Sequence, residues 1–394
     1  MKRIPIILFF ATLLYGQPSF ALQNDSVQIS LLTCSPGNEI YSLFGHTAIR
    51  YKDISTGADI VFNYGMFSFN TPNFIWRFIK GETDYQLGAT DYNQFAEEYE
   101  YYERGVSQQM LNLSAKEKEK LFTLLKINYY PENRVYRYNF LFDNCATRPR
   151  DKIEDCINGE IYYNNQKEKA QSFRDIIHEY TKQHLWERFG IDFCLGSKAD
   201  KPITPRQKMF IPDYLQQSFA SANIIDKNGN TRKLVVKTTS LIPNHAELFD
   251  NNRFHLFTPL QTSLLLFIIT GGITIYGLKK KKILWGVDLL LFFLAGIAGC
   301  IIAFLACCSE HPAVSPNYLL FIFHPLHLLF LPFILYEAKK KRMSAYHLLN
   351  FMVLTLFILL WAVIPQRFDL AVLPLALSLL IRSASNLILA YKKK

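Results

Sequence analysis

Tyr138–Ile153, YNFLFDNCATRPRDKI, is the stretch on which the reading of this chain turns. Its apolar, aromatic start, Tyr138 to Phe142, predicts a buried strand, and Asp143-Asn144 is a turn pair. Cys145 follows at once. Thr147, Pro149 and Asp151 then supply what a first helical turn favours: a capping hydroxyl, a proline where no N–H is needed, and an early carboxylate. Cys145 is therefore expected at a helix N-terminus, where unpaired N–H groups and the dipole favour thiolate over thiol. The competing reading is a half-buried structural cysteine after a strand, and a base within reach is what would decide against it.

The candidate base lies upstream in Leu43–Tyr51, LFGHTAIRY. Loose alternation from His46 to Tyr51 predicts a strand with one packed face, and Gly45 removes a side chain just before His46. A second strand, Asp59–Tyr64, follows a turn at Ser55-Thr56-Gly57, so the two are expected to pair as a hairpin with Asn63 near its end. A polar side chain on the neighbouring strand fixes the tautomer of an imidazole that must take a proton from a thiol. Singly, His46 reads as a satisfied core histidine and Asn63 as a strand-end turn residue. Together with Cys145 they read as base, orienting group and nucleophile.

A histidine on the first strand of a small sheet, a polar residue on the next, and an Asn-Cys at a later helix start resemble the permuted papain-like order of the lecithin:retinol acyltransferase and phospholipid N-acyltransferase proteins. FGHTAIRY (44–51), DNCATRPRD (143–151), FIPDYL (210–215) and SEHPAVSPN…FHPLHLLF (309–317 and 323–330) are more closely similar to the bacterial Lnb family of lipoprotein N-acyltransferases. That resemblance covers nearly the whole mature chain. It implies an α+β permuted papain-like exported domain followed by an all-α transmembrane domain of five helices, with Cys145 and His46 as the catalytic pair. Asn63 is placed by strand position alone.

Working outward, Met1–Ala21 reads as a signal peptide: Lys2 and Arg3, an apolar run from Ile4 to Tyr15, then small residues at Ser19 and Ala21. An uncleaved anchor is the alternative. Residues 22–257 form the expected periplasmic domain. In it, the aromatic, polar region Phe67–Tyr102, with Trp76, offers a surface for lipid or simply a core. Ser114–Glu117 is a capping box that opens a helix carrying Leu121, Leu124 and Leu125. After a polar break at 158–169, a helix is expected from about Gln171 to Trp186, then a long ordered loop from Gly190 to Leu215. Asn144 and Arg148, flanking Cys145, are further candidate substrate contacts. Cys34, Cys156 and Cys194 leave room for at most one disulfide beside a reduced Cys145.

Half of the 394 residues are apolar and 19% are charged, and the hydropathy is concentrated at the C-terminal end. Five apolar runs, near 260–278, 283–306, 317–336, 345–364 and 370–390, are each long enough to span a bilayer. Lys279–Lys282, Lys339–Arg342 and Lys392–Lys394 hold eleven basic residues, more than the whole net charge of +10. With an exported domain ahead of them, all three clusters fall on the cytoplasmic side, so the basic balance records topology and gives no support to nucleic-acid binding. Asp288 and Arg382 lie at membrane depth, where they either pair or snorkel. His311, in an outer loop, and His324 and His327 nearby face the exported domain and are candidates either for holding lipid or for helix packing.

No metal-like spacing is present, and neither metal nor cofactor is expected. A thiol–imidazole pair performs acyl transfer, and a site held near the outer leaflet of the inner membrane meets phospholipid esters. With the Lnb resemblance, the expected reaction moves a fatty acyl chain from a phospholipid, through Cys145, to the free α-amine of a lipidated lipoprotein N-terminus. Transfer within one lipoprotein molecule is the variant of that reaction. A membrane-tethered cysteine peptidase or amidase acting on cell-wall peptide, or a non-catalytic lipid-binding scaffold, are the alternatives.

Overall fold

The computed structural model describes residues 26–68, 70–164, 170–244 and 256–391; the expected signal peptide at 1–21 and the basic cluster 392–394 lie outside them. The first part is built on a seven-stranded antiparallel sheet. Its strands are β1 (Val27–Cys34), β2 (His46–Asp53), β3 (Ala58–Met66), β4 (Asp84–Asp91), β5 (Val106–Leu111), β6 (Val135–Arg137) and β10 (Val235–Ile242), in the order β10-β5-β1-β2-β3-β4-β6. A small sheet, β7 (Gly159–Tyr162), β8 (Asn223–Asp226) and β9 (Thr231–Lys233), lies beside it. Helices α1 (Phe74–Lys80), α2 (Tyr92–Tyr101), α3 (Ala115–Tyr129), α4 (Thr147–Cys156), α5 (Phe173–Tyr180), α6 (Leu185–Cys194), α7 (Pro205–Lys208) and α8 (Pro212–Ser221) surround the sheets.

Alternation along the strands assigns their two faces. Ile29, Leu31 and Ile49 pack against Leu121 and Leu125 of α3 and Ile153 of α4. Leu32, Cys34, Ala48 and Val61 point the other way, onto Phe95 and Tyr99 of α2. The expected hairpin is present, with Ala48 opposite Asn63 in the β2–β3 register. α3 opens on its expected capping box: the Ser114 hydroxyl accepts from the Glu117 N–H, and the Glu117 carboxylate accepts the Ser114 N–H at 2.8 Å.

Four expectations are corrected. The run Tyr138–Phe142 is no strand: Asn139 Oδ1 accepts the N–H groups of Leu141 and Phe142 at 3.1 and 3.2 Å, closing the chain into a turn that tucks Leu141 among Phe44, Phe173 and Phe210. The helix expected over 171–186 is two helices, α5 and α6, separated at Thr181–His184. The supposed loop 190–215 contains the end of α6, a 3₁₀ turn at Ser197–Asp200, α7 and the start of α8, because Thr204 and Pro205, then Pro212, start short helices. The polar break after residue 158 contains β7.

The C-terminal part is helical throughout: α9 (Pro259–Lys279), α10 (Trp285–Cys308), a 3₁₀ turn (Tyr318–Phe321) leading into α11 (Leu326–Lys340), α12 (Ala345–Leu359) and α13 (Val372–Tyr391). Four spans, with the 3₁₀ turn and α11 counted as one, are long and apolar enough to cross a membrane. α12 is shorter at 15 residues, ~22 Å against a hydrocarbon thickness of about 30 Å. Its apolar run continues to Ile364 in turns, as expected ahead of Pro365. The two described basic clusters lie at one end of the bundle. At the other end, loops 309–317 and 365–367 grip the sheet domain: Gly196 N–H donates to Ala313 O at 2.8 Å, Ser197 N–H to Pro316 O at 2.9 Å, and Gln366 Nε2 to Leu195 O at 3.1 Å. Arg367 closes the grip on Asp175 and Asp200, at 2.6 and 3.0 Å.

Candidate active site

Asn144 shapes the turn that carries Cys145. It is buried, its Oδ1 accepts the N–H groups of Ala146 and Thr147 at 2.8 and 2.9 Å, and its Nδ2 donates to the carbonyls of Phe140 and Phe210 at 2.7 and 2.8 Å. The cap of α4 is therefore Asn144. Thr147, expected to cap, already lies in the helix and accepts the Asn144 N–H at 2.8 Å, while Asp151 falls beyond the first turn. Asn144 was expected to touch substrate, but its amide is fully committed to holding this turn.

Cys145 meets the sheet where two strands make room for it. The Thr47 N–H, one residue past His46, points at its sulfur. Across from it, β3 breaks register between Asn63 and Met66, and Gly65 takes φ +88°. It is this positive φ that calls for glycine, since a Cβ there would stand at ordinary contact distance, 3.5 Å, from Cys145 Cβ. A similar need explains Gly45: at φ +77°, its Cβ would lie 2.7 Å from the Cys34 carbonyl.

His46 opens β2 opposite Cys34, and its Nε2 lies 3.2 Å from Asn63 Oδ1. An amide oxygen only accepts, so Nε2 carries the proton and Nδ1 is the basic nitrogen. No hydrogen bond joins Cys145 to His46 in this structure. Burial pushes the Cys145 thiol up to about 11, against the lowering pull of the Thr47 N–H. Burial likewise lowers His46 to about 4, despite the bond to Asn63. The expected thiolate is not met: desolvation outweighs the backbone N–H groups at the sulfur, and the pair rests as thiol and neutral imidazole.

A family model described as the Lnb N-terminal periplasmic domain matches residues 19–183, which contain His46, Asn63 and Cys145. A second, the Lnb transmembrane domain, matches residues 250–394. The chain belongs to the Lnb family. No curated protein and no solved structure matches it. As an Lnb protein it is a membrane protein with a periplasmic domain, consistent with a role in lipoprotein processing.

In this Lnb chain a file of aromatic rings leads from the cysteine toward the membrane helices. Tyr138, beside Gly65, stacks on Tyr85 at 4.1 Å; Tyr85 stacks on Phe67 at 4.9 Å, and Phe67 on Phe74 of α1 at 5.8 Å. Further along α1, Trp76 lies 5.0 Å from Phe304 of α10. His311 Nε2 donates to the Phe78 carbonyl at 2.8 Å, and the Glu310 N–H donates to Lys80 O at 2.8 Å.

The remaining candidates are placed as follows. Trp76 and His311 join the two domains. Arg148 clasps Asp143 at 2.6 and 2.7 Å and lies over the Tyr136 ring. His327 is buried, bonded to Ile322 O and Tyr346, and His324 stacks on it at 3.9 Å, which is the packing reading. Cys34, Cys145, Cys156 and Cys194 are unpaired thiols. Sequence reasoning missed the Thr47 N–H and the ring file; a glycine inside a strand, Gly65, was the available sign of the β3 bulge.

Proposed function

We propose that this Lnb protein is a thiol-dependent lipoprotein N-acyltransferase of the inner membrane, its site facing the outer leaflet. The observation that carries the reading is the pairing of Asn63 with His46 Nε2, which leaves Nδ1 as base on the residue before the N–H that seats Cys145. Both groups rest neutral, so the thiol proton moves to Nδ1 as sulfur attacks the ester carbonyl of a membrane phospholipid. The imidazolium returns that proton to the departing lysophospholipid alcohol, leaving the acyl chain on Cys145 as a thioester. The α-amine of a diacylglyceryl-cysteine lipoprotein then attacks. Nδ1 takes the amine proton and hands it to the leaving sulfur, so enzyme and proton count are restored. The Sγ–Nδ1 contact closes when substrate enters, because catalytic hydrogen bonds are often unmade in the free enzyme. The ring file offers the acyl chain an apolar path from the bilayer and keeps water from the thioester.

Mass spectrometry of a lipoprotein N-terminal peptide from cells carrying wild-type or Cys145→Ala protein tests this. The amine-linked acyl chain is expected with wild type and absent with the variant; its persistence in the variant overturns the reading.

A further inference from the structure

Arg104 stands on the flank of β1 opposite His46. In register, Cys34 pairs with His46 on one side and with Val106 on the other, so Arg104, two residues before Val106, lies at the same end of the sheet as the catalytic candidates. Its Nε and Nη2 donate to the Ser35 carbonyl at 3.0 and 2.8 Å, and its guanidinium lies 5.0 Å from the Tyr99 ring centre. Arg50, Arg148 and Arg174 each hold a carboxylate. Arg104 has no carboxylate partner among the described residues. A guanidinium has five N–H donors, so the two bonds to Ser35 leave a charged fork with donors to spare. Its positive field reaches the catalytic candidates, opposing in part the burial-driven rise at Cys145 and adding to the burial-driven fall at His46.

The β1–β2 loop connects this cation to the ring file. Gly37 N–H donates to Ser42 O at 2.9 Å, and a Cβ on Gly37 would lie 3.3 Å from Arg104 Cδ, so the loop sits on the arginine stem. Tyr41 of the same loop meets Phe67 edge to face at 6.1 Å. Across the strand order the site runs from the cation at Arg104, past His46 on β2 and Cys145 against Gly65 of β3, to the apolar rings Tyr138, Tyr85 and Phe67.

We propose that Arg104 binds the phosphodiester of the acyl donor while the acyl chain lies along the ring file. In a glycerophospholipid the ester carbonyl lies between phosphate and chain, so this arrangement presents it to Cys145. The inference rests on the acyl-transfer reading and adds to it the residue that recognises the donor's phosphate, setting a phospholipid apart from a neutral diacylglycerol.

The test measures equilibrium binding of radiolabelled phosphatidylethanolamine, and of diacylglycerol with the same chains, to full-length Cys145→Ala protein in neutral detergent micelles. The phospholipid is expected to bind about tenfold more tightly, the scale of one charge-assisted contact. Adding Arg104→Gln removes that preference and changes diacylglycerol binding by less than about twofold, while Arg104→Lys keeps most of the preference. Equal weakening of both lipids by Arg104→Gln, or no phospholipid preference at the start, overturns the proposal. Excess inorganic phosphate is expected to leave the phospholipid bound; displacement would assign the cation to free phosphate and equally overturn it. Because binding is read without Cys145, failure of acyl transfer in the lipoprotein assay leaves this result standing, and the reverse also holds.

Discussion

Cys145 with His46, half-buried at the end of the sheet, and Asp288 with Arg382, fully buried between membrane helices, are two titratable pairs built on opposite plans. In the first, burial drives the thiol up to about 11 and the imidazole down to about 4, and no bond joins them. In the second, Arg382 donates to both carboxylate oxygens of Asp288 at 2.6 and 3.1 Å, with Thr274, the Leu284 carbonyl and Asn386 completing the shell. A buried ion pair bonded on every side holds helices in register. A neutral pair with a lone pair and a proton to spare is equipped to move that proton.

The largest effect that would break this contrast is on stability. Asp288→Ala is expected to cost about 3–5 kcal/mol by leaving Arg382 charged and unpaired in the bundle, whereas a paired Asp288→Leu, Arg382→Met replacement recovers most of it. Thermal unfolding of the detergent-solubilised chain reads both; an unchanged midpoint for the single variant would show that the pair is no structural clamp.

Next comes the pH profile of acyl transfer. With His46 near 4 and Cys145 near 11, neither group changes state in between. The acylation of Cys145 by phospholipid, the half-reaction without the amine, should stay level from about pH 5 to about pH 10, and fall in acid as His46 takes up a proton and loses its basic nitrogen. Asn63→Ala should lower that plateau roughly tenfold, the worth of one orienting hydrogen bond. A fall in that half-reaction between about pH 7 and 9 would instead mean a resting thiolate–imidazolium pair, whose imidazolium loses its proton there, and would erase the distinction between the two regions.

The smallest expected effect lies where the regions meet. Arg367 is half exposed, so losing its bonds to Asp175 and Asp200 in Arg367→Ala should cost less than about 1 kcal/mol of stability. Hydrogen exchange at α5 and the Ser197–Asp200 turn should nevertheless speed up, sharpening the view that the outer loops orient the sheet domain. Unchanged protection there would remove Arg367 from that role.

How much was readable depended on the range of the interaction. The β2–β3 hairpin, the capping box at Ser114 and the apolar helices follow from residues a few positions apart, and each was legible. The aromatic run Tyr138–Phe142 misled because Asn139 competes for its own backbone, a local bond that outweighs β-propensity. The protonation state of Cys145 was misjudged for a different reason: a helix start is visible in a sequence, but the desolvation that raises the thiol is not.

From the chain alone came the apolar membrane segments, and the choice of Cys145, His46 and Asn63 as candidate nucleophile, base and orienting amide, since these depend on residue type, hydropathy and near neighbours. Folding contributed the N–H of Thr47 under the sulfur, the guanidinium of Arg104 across β1 and the rings between Cys145 and α10. These join residues brought together by strand pairing and long-range packing, where loop closure and burial choose the partners and no local pattern records them.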